Sequence, residues 1–156
     1  MISLRTSVRR SYLAGMARFK FYAFGHERIL STHPTTIEIT RSQNLTIRGD
    51  CVIGVKSSHG LRDFPDEIKR LLCDDSGRGR LEIRVSDEVA IIEGRGAKGL
   101  SFLDLNEIVV RKSGFVSDRT LMVYSDKAAR DIPRQMAKLL MDPGEKISFE
   151  LSAWSV

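Results

Sequence analysis

The sequence has 156 residues, 42% of them hydrophobic and 29% charged, with a formal net charge of +5. That length suits one domain with a core of its own, and no run of about 18 apolar residues exists to cross a membrane as a helix. Two cysteines, Cys51 and Cys73, far apart and in no CxxC pair, exclude a disulfide-rich secreted scaffold.

The charge is unevenly distributed. Residues 1–20 carry Arg5, Arg9, Arg10, Arg18 and Lys20 and no acid, which accounts for the whole excess of +5. Residues 21–156 hold 20 basic and 20 acidic side chains and are neutral, so net charge alone gives no reason to place nucleic acid on the body. Residues 1–17 read as a basic flexible arm, or as sequence upstream of a start at Met16. Their acid-free, Arg- and Ser-rich composition is also that of an organelle transit peptide. The globular domain is expected over 18–156.

From Arg18 onward the period is that of strands. RFKFYAF (18–24) alternates, TIEIT (36–40) points Ile37 and Ile39 inward, and LTIRGDCVIGV (45–55) is long enough for a bent strand. RLEIRVS (80–86), EVAIIEG (88–94), LSFLDL (100–105), EIVVRKS (107–113), RTLMVYS (119–125) and KISFELSAW (146–154) continue the pattern, most spaced as successive antiparallel strands. DSGRGR (75–80) reads as turn. Two helices interrupt. Asp63 is a candidate N-cap before Pro65, Asp66 and Glu67, with Ile68, Leu71 and Leu72 as the apolar stripe. The second runs from about Ser125 to Met141, and Pro133 inside it predicts a kink or a restart. No internal repeat is evident. About nine strands with two edge helices predict a mainly β fold of some α+β character, a β-sandwich or partly open barrel.

Two polar clusters are candidates for chemistry. The first is GHERILSTHPTTIEIT (25–40) with GDCVIGV (49–55), which contributes His26, His33, Thr35, Thr36, Asp50 and Cys51. His, Cys and carboxylate are the zinc ligand set and also the nucleophile–base set, although the spacing matches no established metal motif. Plainer roles compete: a turn histidine, a small buried cysteine, threonines in a strand. The second is RKSGFVSDRT (111–120), where Arg111, Lys112, Ser113 and Arg119 could cradle an anion. Alternation puts Arg111 and Ser113 on one face and Lys112 on the other. A solvated hairpin with Asp118 paired to a cation is the competing reading.

FYAFGHERILSTHPTTIEIT, LTIRGDCVIGV and EIVVRKSGFVSDRTLMVYSDKAARDIPR together resemble the archaeal family of domain of unknown function 371, over about residues 18–152. The resemblance implies a jelly-roll-like β-sandwich and brings no activity with it. It also implies a cytoplasmic, reducing setting in which both cysteines are free thiols.

The function expected from these residues is binding of a small anionic metabolite or nucleotide. His26, His33 and Asp50 are the candidate catalytic groups, and Thr35, Thr36, Cys51, Arg111, Lys112, Ser113 and Arg119 the candidate ligand contacts. A metal-assisted hydrolase, with a divalent ion on the histidines and Asp50, is the enzymatic version. The alternative is a non-catalytic RNA- or protein-binding module using the basic arm and the Arg/Lys hairpin. No membrane partner is expected, and the residues do not fix an oligomeric state.

Overall fold

The computed structural model describes residues 15–43 and 50–156. Most of the basic arm, and the first half of the strand expected over 45–55, lie outside the described residues. Among these residues eight strands form two four-stranded sheets: β1 (Ala17–Phe24), β2 (Thr36–Thr40), β3 (Val52–Gly54), β4 (Gly77–Val85), β5 (Glu88–Arg95), β6 (Glu107–Arg111), β7 (Thr120–Met122) and β8 (Lys146–Ser155). Sheet one runs β1-β8-β4-β5 and is antiparallel throughout. Sheet two runs β3-β2-β6-β7, antiparallel at its β2·β6 centre and parallel at β2·β3 and β6·β7. Those two parallel pairs are the departure from a succession of hairpins. Single bridges, Phe24 to Val55 and Arg95 to Val123, tie the edges of one sheet to the other without closing a barrel.

Alternation does what the pattern predicts. β1 buries Ala17, Phe21 and Ala23 and turns Arg18, Lys20 and Tyr22 outward. Between the sheets, the Phe21 ring stacks on Phe149 at 4.8 Å and meets Phe64 at 5.3 Å, and Phe64 in turn touches Phe102. LSFLDL (100–105) is not a strand. Leu100 and Phe102 are buried, but Phe102 sits at φ +53°, in the left-handed region where an extended run cannot continue. Conversely, Gly77–Arg80 belongs to β4 rather than to a turn.

Helices α1 (Asp66–Leu72) and α2 (Arg134–Leu140) each follow a single 3₁₀ turn, Leu61–Asp63 and Ala129–Asp131. Pro65 and Pro133 stand at the two N-caps, so the second helix restarts at its proline instead of kinking. Asp63 does not cap α1. Its carboxylate instead accepts the Gly60 N–H at 2.9 Å, closing the 3₁₀ turn, and Asp131 accepts the Ala128 N–H at the same distance.

That equivalence extends through the described elements from β1 onward and corrects the expectation of no repeat. β1 and β2 recur 71 positions later as β5 and β6; β3, the 3₁₀ turn and α1 recur 68 positions later as β7, its turn and α2. Lys56 and Tyr124 share φ values of +53° and +51°. The Gly25 N–H donates to Glu145 O and the Gly96 N–H to Gly77 O, both at 3.0 Å, so each half's glycine binds the other half. A Cβ at Gly25 would strike the Leu140 and Asp142 carbonyls, and one at Gly96 those of Leu72 and Asp74. The fold is a pair of interlocked copies with β2·β6 and β8·β4 at its centre. Sequence identity between the halves is sparse, confined to positions such as Arg62/Arg130, Asp63/Asp131 and Pro65/Pro133.

Candidate functional site

Across the centre of sheet two, Thr36 stands opposite Arg111 and Glu38 opposite Val109. Ile37 and Ile39 face the core, so Glu38 points outward from a central strand. There it meets Glu107 at the start of β6. Arg119, just before β7, lies 2.8 Å from Glu107 Oε2 and 3.6 Å from Glu38 Oε1. Arg111 donates to Thr120 Oγ1 at 3.2 Å and Ser117 Oγ at 3.4 Å, and its guanidinium lies 4.9 Å from the centre of the Phe115 ring. Arg111 has no carboxylate within ion-pair distance among the described residues. Cys51, which flanks β3, completes the cluster.

The electrostatics follow from this crowding. Burial, then a hydrogen bond and like-charge repulsion from Glu107, push the Glu38 carboxyl up to about 8 against the pull of Arg119 and Arg111. At neutral pH Glu38 is therefore protonated and donates to Glu107, whose carboxylate pairs with Arg119. Burial, with Glu38 and Asp50 adding to it, pushes the Cys51 thiol up to about 11, so it is uncharged. Burial and the neighbouring Arg119 press the Arg111 guanidinium below its ordinary value, though it stays charged. Two guanidiniums against one carboxylate leave the cluster with a net single positive charge.

Of the residues singled out from the sequence, Thr36, Cys51, Arg111 and Arg119 belong to this face. Lys112 leaves it, as alternation requires, and pairs with Asp131 at 2.9 Å. The expected hairpin is not formed, because β7 runs parallel to β6; Ser113 serves the connecting loop, its hydroxyl accepting the Phe115 N–H and its carbonyl the Tyr124 N–H. The Asp50 carbonyl accepts the N–H groups of Thr32 and His33. His33 Nδ1 accepts from the N–H groups of Thr35 and Thr36 at 3.2 and 3.1 Å. In the other half Asp104 Oδ1 does the same for Asn106 and Glu107, so His33 holds a turn that a carboxylate holds in its counterpart. His26 Nδ1 likewise accepts the Arg28 N–H at 3.0 Å. The His26 N–H bonds Leu140 O while the His33 carbonyl accepts Arg130 N–H, so the two histidines are anchored near opposite ends of the stretch from the 3₁₀ turn to the end of α2. Among the described residues, no three His, Cys, Asp or Glu side chains gather into a set that could hold a metal ion. No helix among them is long and apolar enough to cross a membrane.

Residues 21–154 match the family described as "Domain of unknown function (DUF371)". The chain belongs to that family. An uncharacterised protein of the archaeon Methanocaldococcus jannaschii is similar to it, 35% identical over 133 residues that cover 85% of this chain and 97% of the relative. Neither match names an activity, so the chemistry rests on the site.

Sequence reading passed over Glu38 and Glu107. The available signal was a carboxylate flanked by two core isoleucines in TIEIT and another opening EIVVR. Nothing local says that these two strands pair, and only the pairing makes the carboxylates neighbours.

Proposed function

We propose that this protein binds a small anionic metabolite on the outer face of sheet two, with Arg111 as the principal anion contact and the Glu38–Glu107 pair as an acid–base centre beside it. The observation that carries the reading is Arg111: a half-buried guanidinium held by two hydroxyls and a ring, with no carboxylate at ion-pair distance among the described residues. An incoming phosphate or carboxylate would supply the missing charge through a bidentate pair. Thr36, opposite Arg111, offers a hydroxyl to the same ligand.

A protonated Glu38 next to a bound anion suits proton donation near neutral pH, because its proton affinity lies close to the operating range. Hydrolysis or phosphoryl transfer is the reaction class to screen first. In this reading Glu38 donates, the repulsion of Glu107 favouring the transfer, Arg119 and Arg111 stabilise the carboxylate left behind, and His33 positions the strand that carries Thr36 and Glu38. The test is calorimetric titration with inorganic phosphate, a nucleoside monophosphate and a dicarboxylate at pH 7. Binding by at least one of these, weakened about tenfold or more in Arg111→Ala, is expected, since a charge-assisted pair contributes about 1.5–3 kcal/mol. Equal binding by wild type and Arg111→Ala would overturn the assignment.

A further inference from the structure

The outer face of sheet one has a different character and no part in the site on sheet two. Its outward strand positions carry seven cations, Arg18 and Lys20 on β1, Arg78, Arg80 and Arg84 on β4, Arg95 on β5 and Lys146 on β8. Against them stand three carboxylates, Glu82, Glu93 and Glu150. Five of these cations and all three carboxylates come from residues 21–156, which are neutral as a whole, and Arg18 and Lys20 add two more positive charges to this face.

The charge is sorted along the face. Glu150 and Glu82 neutralise Lys20 and Arg84 at 3.6 and 3.1 Å. Towards the start of β1 the register lines up Arg18, Ser152 and Arg80 across three strands, and next to them Trp154, Arg78 and Arg95. None of these four arginines has a carboxylate within ion-pair distance among the described residues. A hollow of about 210 Å³ opens between Arg78, Arg95, Trp154 and Tyr124, with the Glu93 carboxylate on its wall, and Tyr124 is 61% exposed.

We infer that this end of sheet one binds single-stranded nucleic acid. Arg18 and Arg80 lie on the open face where phosphates can meet them, and the hollow beside Tyr124 and Trp154 admits a base unstacked from its neighbours. A duplex offers no such base, and the flat face presents no element to enter a groove. An anionic lipid surface would satisfy the charges but would not need the hollow. The proposal is independent of the anion site on sheet two.

The test is fluorescence anisotropy of labelled 20-nucleotide RNA and DNA strands of mixed sequence with the full chain, at several salt concentrations. Binding of either strand should weaken with salt, with a logarithmic slope of about −3 for four neutralised phosphates. In Arg18→Ala/Arg80→Ala the slope should fall in magnitude by about 1.4, and affinity at low salt by about tenfold or more. Arg70→Ala/Lys138→Ala removes the same charge from exposed helix positions elsewhere and serves as control. An Arg18/Arg80 variant that loses no more than this control would overturn the proposal. So would binding to phosphatidylserine vesicles without binding to either strand, or equal affinity for the strand and its duplex.

Discussion

Replacing Glu38 by glutamine should make the protein more stable at alkaline pH and change little at acid pH. In the folded chain Glu38 holds its proton up to about pH 8, against 4.5 for an ordinary glutamate, because it is buried against Glu107. Between those two values the folded state binds a proton that the unfolded state has released. Stability therefore falls as pH rises through that window and levels off above it. At about 1.36 kcal/mol per pH unit, the loss between pH 4.5 and 8 is on the order of 4–5 kcal/mol. Glutamine keeps the shape and a hydrogen-bond donor towards Glu107 but has no proton to lose. Urea unfolding of both proteins at pH 5, 6, 7, 8 and 9 gives the difference directly, and histidines and other titrating groups cancel in it. The variant should match wild type near pH 5 and exceed it by several kcal/mol at pH 9. A difference that stays constant from pH 5 to 9 would mean that Glu38 ionises like any surface glutamate, and the acid–base reading of the site would fall with it.

Arg119→Ala should destabilise by about 1–3 kcal/mol, because it leaves the Glu107 carboxylate without its partner, as thermal melts would show. Cys51, with its thiol up at about 11, should react with a disulfide reagent at pH 8 roughly 100-fold more slowly than a free cysteine; reaction at the ordinary rate would refute its burial. Gly25→Ala and Gly96→Ala should each cost about 3 kcal/mol or more, since both place a methyl against carbonyls of the opposite half. Similar losses at the two positions would support the internal equivalence. His33→Asp should keep the turn before β2 and His33→Ala should lose about 1 kcal/mol, measured by chemical denaturation.

Local signals in the sequence were enough for most strands and both helices. The alternation of RFKFYAF and KISFELSAW and the proline-led stripe of Ile68, Leu71 and Leu72 are each written within a few residues of themselves. LSFLDL misleads because burial of Leu100 and Phe102 imitates a strand period, while the positive φ at Phe102 comes from packing. The repeat escapes notice for a related reason. What the halves share is backbone geometry, and a histidine and an aspartate can hold the same turn. Arg111 and Arg119 were visible as a cation pair flanking one loop, although that loop joins two parallel strands and is not a hairpin. Their carboxylate partners come from β2 and the start of β6, and no spacing rule joins residue 38 to residue 107.

The place of β8 in sheet one bears on how the chain reaches its native state. β8 follows every other strand in chain order, yet it lies inside the sheet, between β1 and β4. Its register joins Ala17 to Ala153 and Gly77 to Ser155, contacts that close loops of half the chain or more. Until β8 is in place, β1 has no ladder partner in its own sheet, and its Phe19 and Phe21 lack the strand they pack beside. Such distant pairings slow folding towards the millisecond-to-second range and leave strand edges exposed meanwhile. Outward Arg18 and Lys20 put like charges on that waiting edge, which discourages two unfinished chains from pairing with each other before β8 arrives.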